Sequence, residues 1–268
     1  MPELRPCPQC SRDNSAEPAS KYSKDEWQIK DCPSCGFVYL ENAPVYEALK
    51  VELAWEKTSA KEKQERKEAE PTKQVVSDVA KKARKDVLKR DKLGTLIEAY
   101  FGPGRVLDIG CANARLLAKL GEHHTPFGVE ISEDLAKKGH KKLKKRGGEV
   151  IHADALSGTT GFADAHFAGI IMSSFLEHEV NPKPLLEQCF RTLDKDGAAI
   201  IKVPNYGCWL RTIRGKRWCG FRYPDHVNYF TPATLSRMVT DIGFKIAKFG
   251  IPDRHPFSDN MWMVVQKP

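Results

Sequence analysis

Val106-Leu107-Asp108-Ile109-Gly110-Cys111-Ala112-Asn113-Ala114-Arg115-Leu116-Leu117 reads as a buried strand, a turn of small residues and the start of a helix. Outward from it, from Gly102 onward, short apolar runs alternate with longer amphipathic ones, the signature of a parallel sheet covered by helices. The strand candidates are Arg105 to Ile109, Pro126 to Glu130, Glu149 to Ala153, Ala168 to Met172, Ala198 to Val203, Lys245 to Gly250 and Asn260 to Gln266. Helix-like segments lie between them at Ala114 to Gly121, Glu133 to Lys145, Lys183 to Leu193 and near Pro232 to Gly243, where Thr231 before Pro232 suits an N-cap with proline at the first helical position. The expected fold class is α/β, a doubly wound, mostly parallel seven-stranded sheet over residues 93–268.

In such a sheet a nucleotide-like ligand crosses the carboxyl end of the first strand, near the point where strand order reverses. Glu130 ends the second strand 22 positions after Asp108, where an acid can accept hydrogen bonds from both ribose hydroxyls. Asp154 closes the third strand, where its carboxylate can take the amino hydrogens of adenine or simply cap the next helix. Three strand ends in order, each carrying a group that a nucleoside requires, argue for such a ligand.

This arrangement resembles the class I S-adenosylmethionine (SAM)-dependent methyltransferases, whose first loop reads Asp-x-Gly-x-Gly-x-Gly, with an acid after strand two and an Asp after strand three. The likeness runs from about Leu93 to the C-terminus. It includes Phe175-Leu176-Glu177-His178-Glu179-Val180-Asn181-Pro182 and Gly197 to Asn205, which look like the small-molecule and glycan-modifying branch. The resemblance implies that Asp108, Gly110, Ala112, Glu130, Asp154 and Ala155 surround SAM, with Ser173, Ser174 and His178 near its sulfonium. Ala112 and Ala114 stand where glycine is usual, and alanine costs more than glycine where the backbone needs a positive φ. An NAD-linked oxidoreductase on this fold normally keeps all three glycines of the dinucleotide turn, so their absence favours methyl transfer.

Ahead of that domain, Cys7-Pro8-Gln9-Cys10 and Cys32-Pro33-Ser34-Cys35-Gly36 form two Cys-x2-Cys knuckles separated by 21 residues. Four thiolates at this spacing suit a closed, structural Zn²⁺ site within residues 1–45. A redox pair lacks its usual βαβ context here, and a disulfide set would not leave the other four cysteines scattered singly. With few aliphatic residues, this piece is expected to need the metal as a staple. Residues 46–92 are rich in Glu, Lys, Ala and Gln, with Val75, Val76, Val79, Ala83, Val87 and Leu88 at near-helical spacing and a break at Pro71, and are read as a helical linker.

Residues 205–230 are dense in Trp, Arg, Tyr and Gly, a crowding of aromatic and basic side chains costly to leave loose in water, and are read as a lid. Pro224 to Thr231 resembles the same methyltransferase branch. Methyl transfer is an in-line displacement in which the protein positions the acceptor and takes its proton, so His178 and His226 are the candidate bases, with ordinary hydrogen bonding as the plain alternative. The acceptor class implied is a small molecule, lipid or glycan. The formal charge of +8 invites an RNA acceptor, with Lys138, Lys141, Lys142 and Lys145 on one helix face beside the zinc module, although that module lacks the basic and aromatic interleaving that stacks bases. A third reading is a SAM-fold protein without turnover. No apolar run approaches the roughly 18 residues that span a bilayer, and no apolar stretch follows a basic start, so the expected compartment is the cytoplasm.

Overall fold

The computed structural model describes residues 4–44 and 91–268. The expected linker over 46–92 lies almost wholly outside the described residues. Helix α1 (Lys92–Tyr100) opens on Asp91, whose carboxylate accepts from the amide of Gly94 at 3.0 Å. Then come β3 (Gly104–Ile109), β4 (His124–Glu130), α2 (Glu133–Leu143), β5 (Glu149–His152), α3 (Ala155–Thr160), β6 (Phe167–Ser173), α4 (Pro182–Thr192) and β7 (Leu193–Pro204). Helix α5 (Trp209–Arg214), α6 (Pro232–Ile242), β9 (Lys245–Lys248) and β10 (Asn260–Gln266) complete the domain.

The sheet order is β5-β4-β3-β6-β7-β10-β9, with β5 through β7 parallel and β10 antiparallel to both neighbours. This is the expected seven-stranded, mostly parallel sheet. Strand order reverses between β3 and β6, which opens a crevice at their carboxyl ends. The central strands are near-continuous apolar runs because helices cover both faces, and β6 is buried from Phe167 to Met172. Thr231 caps α6, accepting from the amide of Thr234 at 3.1 Å, and Gly243 ends that helix at φ 112°, as the sequence signals.

The helix expected over Ala114 to Gly121 does not form; only one 3₁₀ turn, Leu117–Lys119, lies there. Ala112 and Ala114 sit at φ 48° and 56°, in the left-handed region, so the chain coils back on itself before a right-handed helix can begin.

The N-terminal residues do more than surround four cysteines. Strands β1 (Ile29–Asp31) and β2 (Val38–Leu40) pair antiparallel, and β2 pairs in turn with β8 (Asn228–Tyr229) from the expected lid. Ile29, Val38 and Leu40 share one buried cluster with Tyr206, Trp218, Phe221, Val227 and Tyr229. The module therefore has an apolar core, and half of that core comes from residues about 200 positions away. Among the described residues no helix is long and apolar enough to cross a membrane.

Candidate active site

A cavity of about 920 Å³ opens at the carboxyl ends of β3, β4, β5 and β6. Gly110 ends the first of these at φ 74°, and a methyl group in place of its hydrogen would lie 2.4 Å from the Phe175 ring, so only glycine fits this turn. Glu130, at the end of β4, holds the loop opposite: one carboxylate oxygen accepts from the Ala112 amide at 2.8 Å and the other from the Ser132 amide at 2.9 Å. The acid that sequence assigns to ribose thus also fixes the left-handed Ala112 turn.

Of the residues assigned to the cofactor, Gly110, Ala112, Glu130, Ala155 and Ser173 line the cavity. Asp108 and Asp154 do not. Asp154 caps α3, accepting from the Ser157 amide at 2.8 Å, which is the plain alternative for an acid closing a strand. Asp108 is buried inside β3, and burial, then the neighbouring Glu130 charge, pushes its carboxyl up to about 8.

His178 and His226 come together in the cavity lining, ring centroids 4.7 Å apart and nearly perpendicular. They arrive from different directions. His178 follows β6 in a tight turn closed by its amide to the Phe175 carbonyl at 2.8 Å, and His226 precedes β8. Two amides, Val227 and Asn228, donate to the Glu177 carbonyl at 2.8 and 3.1 Å and join the segments. His178 Nδ1 lies 2.8 Å from the Asp225 carbonyl, and His226 Nδ1 lies 2.9 Å from the Gly220 carbonyl. Carbonyls only accept, so in both rings Nδ1 carries the hydrogen. Burial draws His178 down to about 4.

Sequence reasoning passed over Glu177, although it stands in the same Leu-Glu-His run. It is 2 % exposed and lines the cavity. Arg5 was also passed over. It crosses the module to donate to the carbonyls of Leu40 at 2.8 Å, Val180 at 2.7 Å and Val227, and to the Asn228 side chain at 3.1 Å. No local signal marks it, because its partners are up to 223 positions distant. Residues 205–230 divide their duties: Trp218, Phe221 and Tyr229 pack on the module, while Cys219, Gly220, Arg222, Asp225 and His226 line the cavity.

The sulfurs of Cys7, Cys10, Cys32 and Cys35 lie within 4.8 Å of one another, with Cys7 to Cys35 at 3.5 Å and Cys10 to Cys32 at 3.6 Å. A tetrahedron of ~2.3 Å Zn–S bonds has an edge of about 3.8 Å, so this all-sulfur set fits a closed zinc site.

A family model described as a methyltransferase domain matches residues 79–248. An uncharacterised protein of Methanocaldococcus jannaschii is 27% identical over 152 residues, 57% of this chain and 70% of its own length. The bifunctional methionine biosynthesis protein MetXA/MetW of Rhodopirellula baltica is 29% identical over 118 residues, 42% of this chain but only 18% of that larger protein. A crystal structure of a SAM-dependent methyltransferase from Archaeoglobus fulgidus has a TM-score of 0.53 at 23% identity, covering 66% of this chain and 91% of its own, a likeness of fold.

Proposed function

The chain belongs to the methyltransferase-domain family, and on that premise we propose that it carries the methyl group of SAM to an oxygen or nitrogen of a small-molecule, lipid or glycan acceptor. The observation that carries this reading is that one cavity gathers both sets of residues. Gly110, Ala112, Glu130, Ala155 and Ser173 line it, and so do the paired His178 and His226. At about 920 Å³ the space is near the upper end of the ~300–1,000 Å³ range of ligand sites, enough for a cofactor and part of an acceptor.

SAM, when bound, supplies an electrophilic methyl group on a sulfonium. The chain's task is to bind, align and exclude water. Glu130 is assigned to the ribose hydroxyls, the Gly110 turn permits close approach of the backbone, and Ala155 and Ser173 bound the nucleoside and sulfonium ends. Asp108 supports the first loop, and Asp154 orders the start of α3 beside the adenine position. His178 and His226 are assigned to the acceptor proton. Cys7, Cys10, Cys32 and Cys35 are assigned to one structural Zn²⁺.

The RNA reading loses ground on two observations. Lys142 donates to the Asn113 carbonyl at 2.7 Å, and Arg146 donates to the carbonyls of Leu117, Gly121 and His124, so part of the basic run serves the domain itself. The strands of the module are buried against the lid rather than presented to a strand of RNA.

Fractions of cell extract incubated with the protein and methyl-labelled SAM test the function. A labelled, non-nucleic-acid product is expected, and His226→Ala should lower its rate by about 10²-fold while SAM affinity barely changes. Label confined to RNA would favour the second reading. Full turnover by His226→Ala would return the lid to a packing role.

A further inference from the structure

Glu177 poses a problem that methyl transfer alone does not answer. It is 2 % exposed, and among the described residues its Oε2 has no hydrogen-bond partner. A buried carboxyl without a partner is costly, and such a group persists where something else satisfies it. Its Oε1 stands 4.0 Å from His178 Nε2, too far for a hydrogen bond. Ligand atoms of Glu177, His178 and His226 all lie within 4.8 Å of one another.

We propose that Glu177, His178 and His226 form a second metal site, holding one divalent first-row transition cation in the cavity. Two imidazoles and one carboxylate are borderline donors that leave coordination positions open, which suits such a cation better than Mg²⁺ or Ca²⁺. In both rings Nδ1 faces a backbone carbonyl, the outer arrangement of metal-ligating histidines. Bonds of ~2.1 Å require ligand atoms about 3.0–3.4 Å apart, so the side chains must draw in by about 1 Å. The cluster is also braced for a ligand: the Glu177 carbonyl takes two amides from the strand after His226, and that strand is itself paired to β2.

Lys202 and Arg222 are the cations that act on Glu177, and each is engaged elsewhere. Lys202 donates to Ser174 Oγ at 3.0 Å and stands over the Trp262 ring, and Arg222 pairs with Asp225 at 3.5 Å.

This inference deepens the proposed function and rests on the cavity being the transferase site, and in it His178 and His226 serve as metal ligands in place of bases, since one Nε2 lone pair cannot hold both a metal and a proton. An acceptor hydroxyl entering an open position would release its proton to water at lower pH than in solution. Its oxygen then forms the bond to the methyl carbon as the carbon–sulfur bond breaks, the electron pair going to sulfur. Suitable acceptors are therefore those with a hydroxyl next to a second oxygen donor, able to chelate.

The test uses the full chain with its four-cysteine site loaded with zinc, titrated with Co²⁺ under equilibrium dialysis and read by absorption. The expected result is one Co²⁺ per chain with weak ligand-field bands and no intense thiolate charge-transfer band. Glu177→Gln and, as an independent variant, His226→Asn should each weaken this binding at least tenfold while zinc content and circular dichroism stay unchanged. Wild-type protein that binds no Co²⁺, or binds it only with thiolate bands by displacing zinc, would overturn the proposal. So would variants that bind as tightly as wild type. SAM titrated into the same samples keeps the two readings apart: SAM binding without Co²⁺ binding sinks the metal site alone, and the reverse sinks the cofactor reading alone.

Discussion

Asp108 shows how one residue type can be legible while its role is not. Its place after Val106 and Leu107 marks the end of the first strand, and the family pattern assigns it to the cofactor, yet it lies 6 % exposed inside β3 and does not reach the cavity wall. Burial holds its proton to about pH 8 in the folded chain, against an ordinary value of 3.8. A folded-state pKa above the unfolded one means that the folded state binds the proton more tightly, so this group's stabilising effect is full below about pH 4 and fades as pH rises toward 8. Asp108→Asn keeps a neutral side chain of the same shape at every pH. Melting curves should therefore show the variant gaining on wild type between pH 5 and pH 8, whereas a constant difference across that range would place the Asp108 charge in solvent. Ala112 and Ala114 teach the same lesson from the backbone. Their departure from glycine was legible, but that both would be held left-handed and erase the next helix was not, because the restraint comes from Glu130, 18 positions away.

Elements with strong periodicity, β3 through β7, α2, α4 and α6, follow their sequence pattern closely because burial on one or two faces dictates it. Strands β1, β2 and β8 are two or three residues long and carry no period to read; they exist because they pair with one another across the chain. Arg5 ties that small sheet to the segment after β6. Burial draws its guanidinium down to about 10, so it remains charged near neutrality, and truncation would strand several buried carbonyls at about 1–3 kcal/mol each. Arg5→Ala should lose about 2–4 kcal/mol in denaturant unfolding, and if the four-cysteine site holds the zinc proposed for it, a chelator should reduce stability in the same direction. Arg5→Lys should recover only part of the loss, since one ammonium cannot replace a forked donor. An Arg5→Ala protein as stable as wild type would show the module to be a passenger on the domain.

At the scale of the whole molecule, the division into a module of residues 1–45 and a domain of 93–268 describes the sequence better than the structure. Phe37 packs edge-on against Phe230 at 5.2 Å, Gln9 donates to Asp241 at 3.1 Å, and Arg237 donates to the Cys35 carbonyl at 3.1 Å. Cys7 and Cys32 of the four-cysteine site thus share the main buried core with Phe230, Leu235, Met238 and Val239. The fold class was legible because a parallel sheet writes itself into local hydrophobic runs, and the placing of Gly110, Glu130 and Ser173 in the cavity lining because each stands at or just after the end of a strand. The pairing of His178 with His226 was legible only in fragments, since the two come from separated segments joined by long-range hydrogen bonds. The central claim is that the cavity at the strand ends binds SAM, and isothermal titration of SAM into wild-type protein and Glu130→Ala tests it most directly. One SAM per wild-type chain is predicted, with binding at least tenfold weaker in Glu130→Ala, which loses both the ribose acceptor and the brace on the Ala112 turn. No binding to wild type, or equal affinity in the two proteins, would contradict the account.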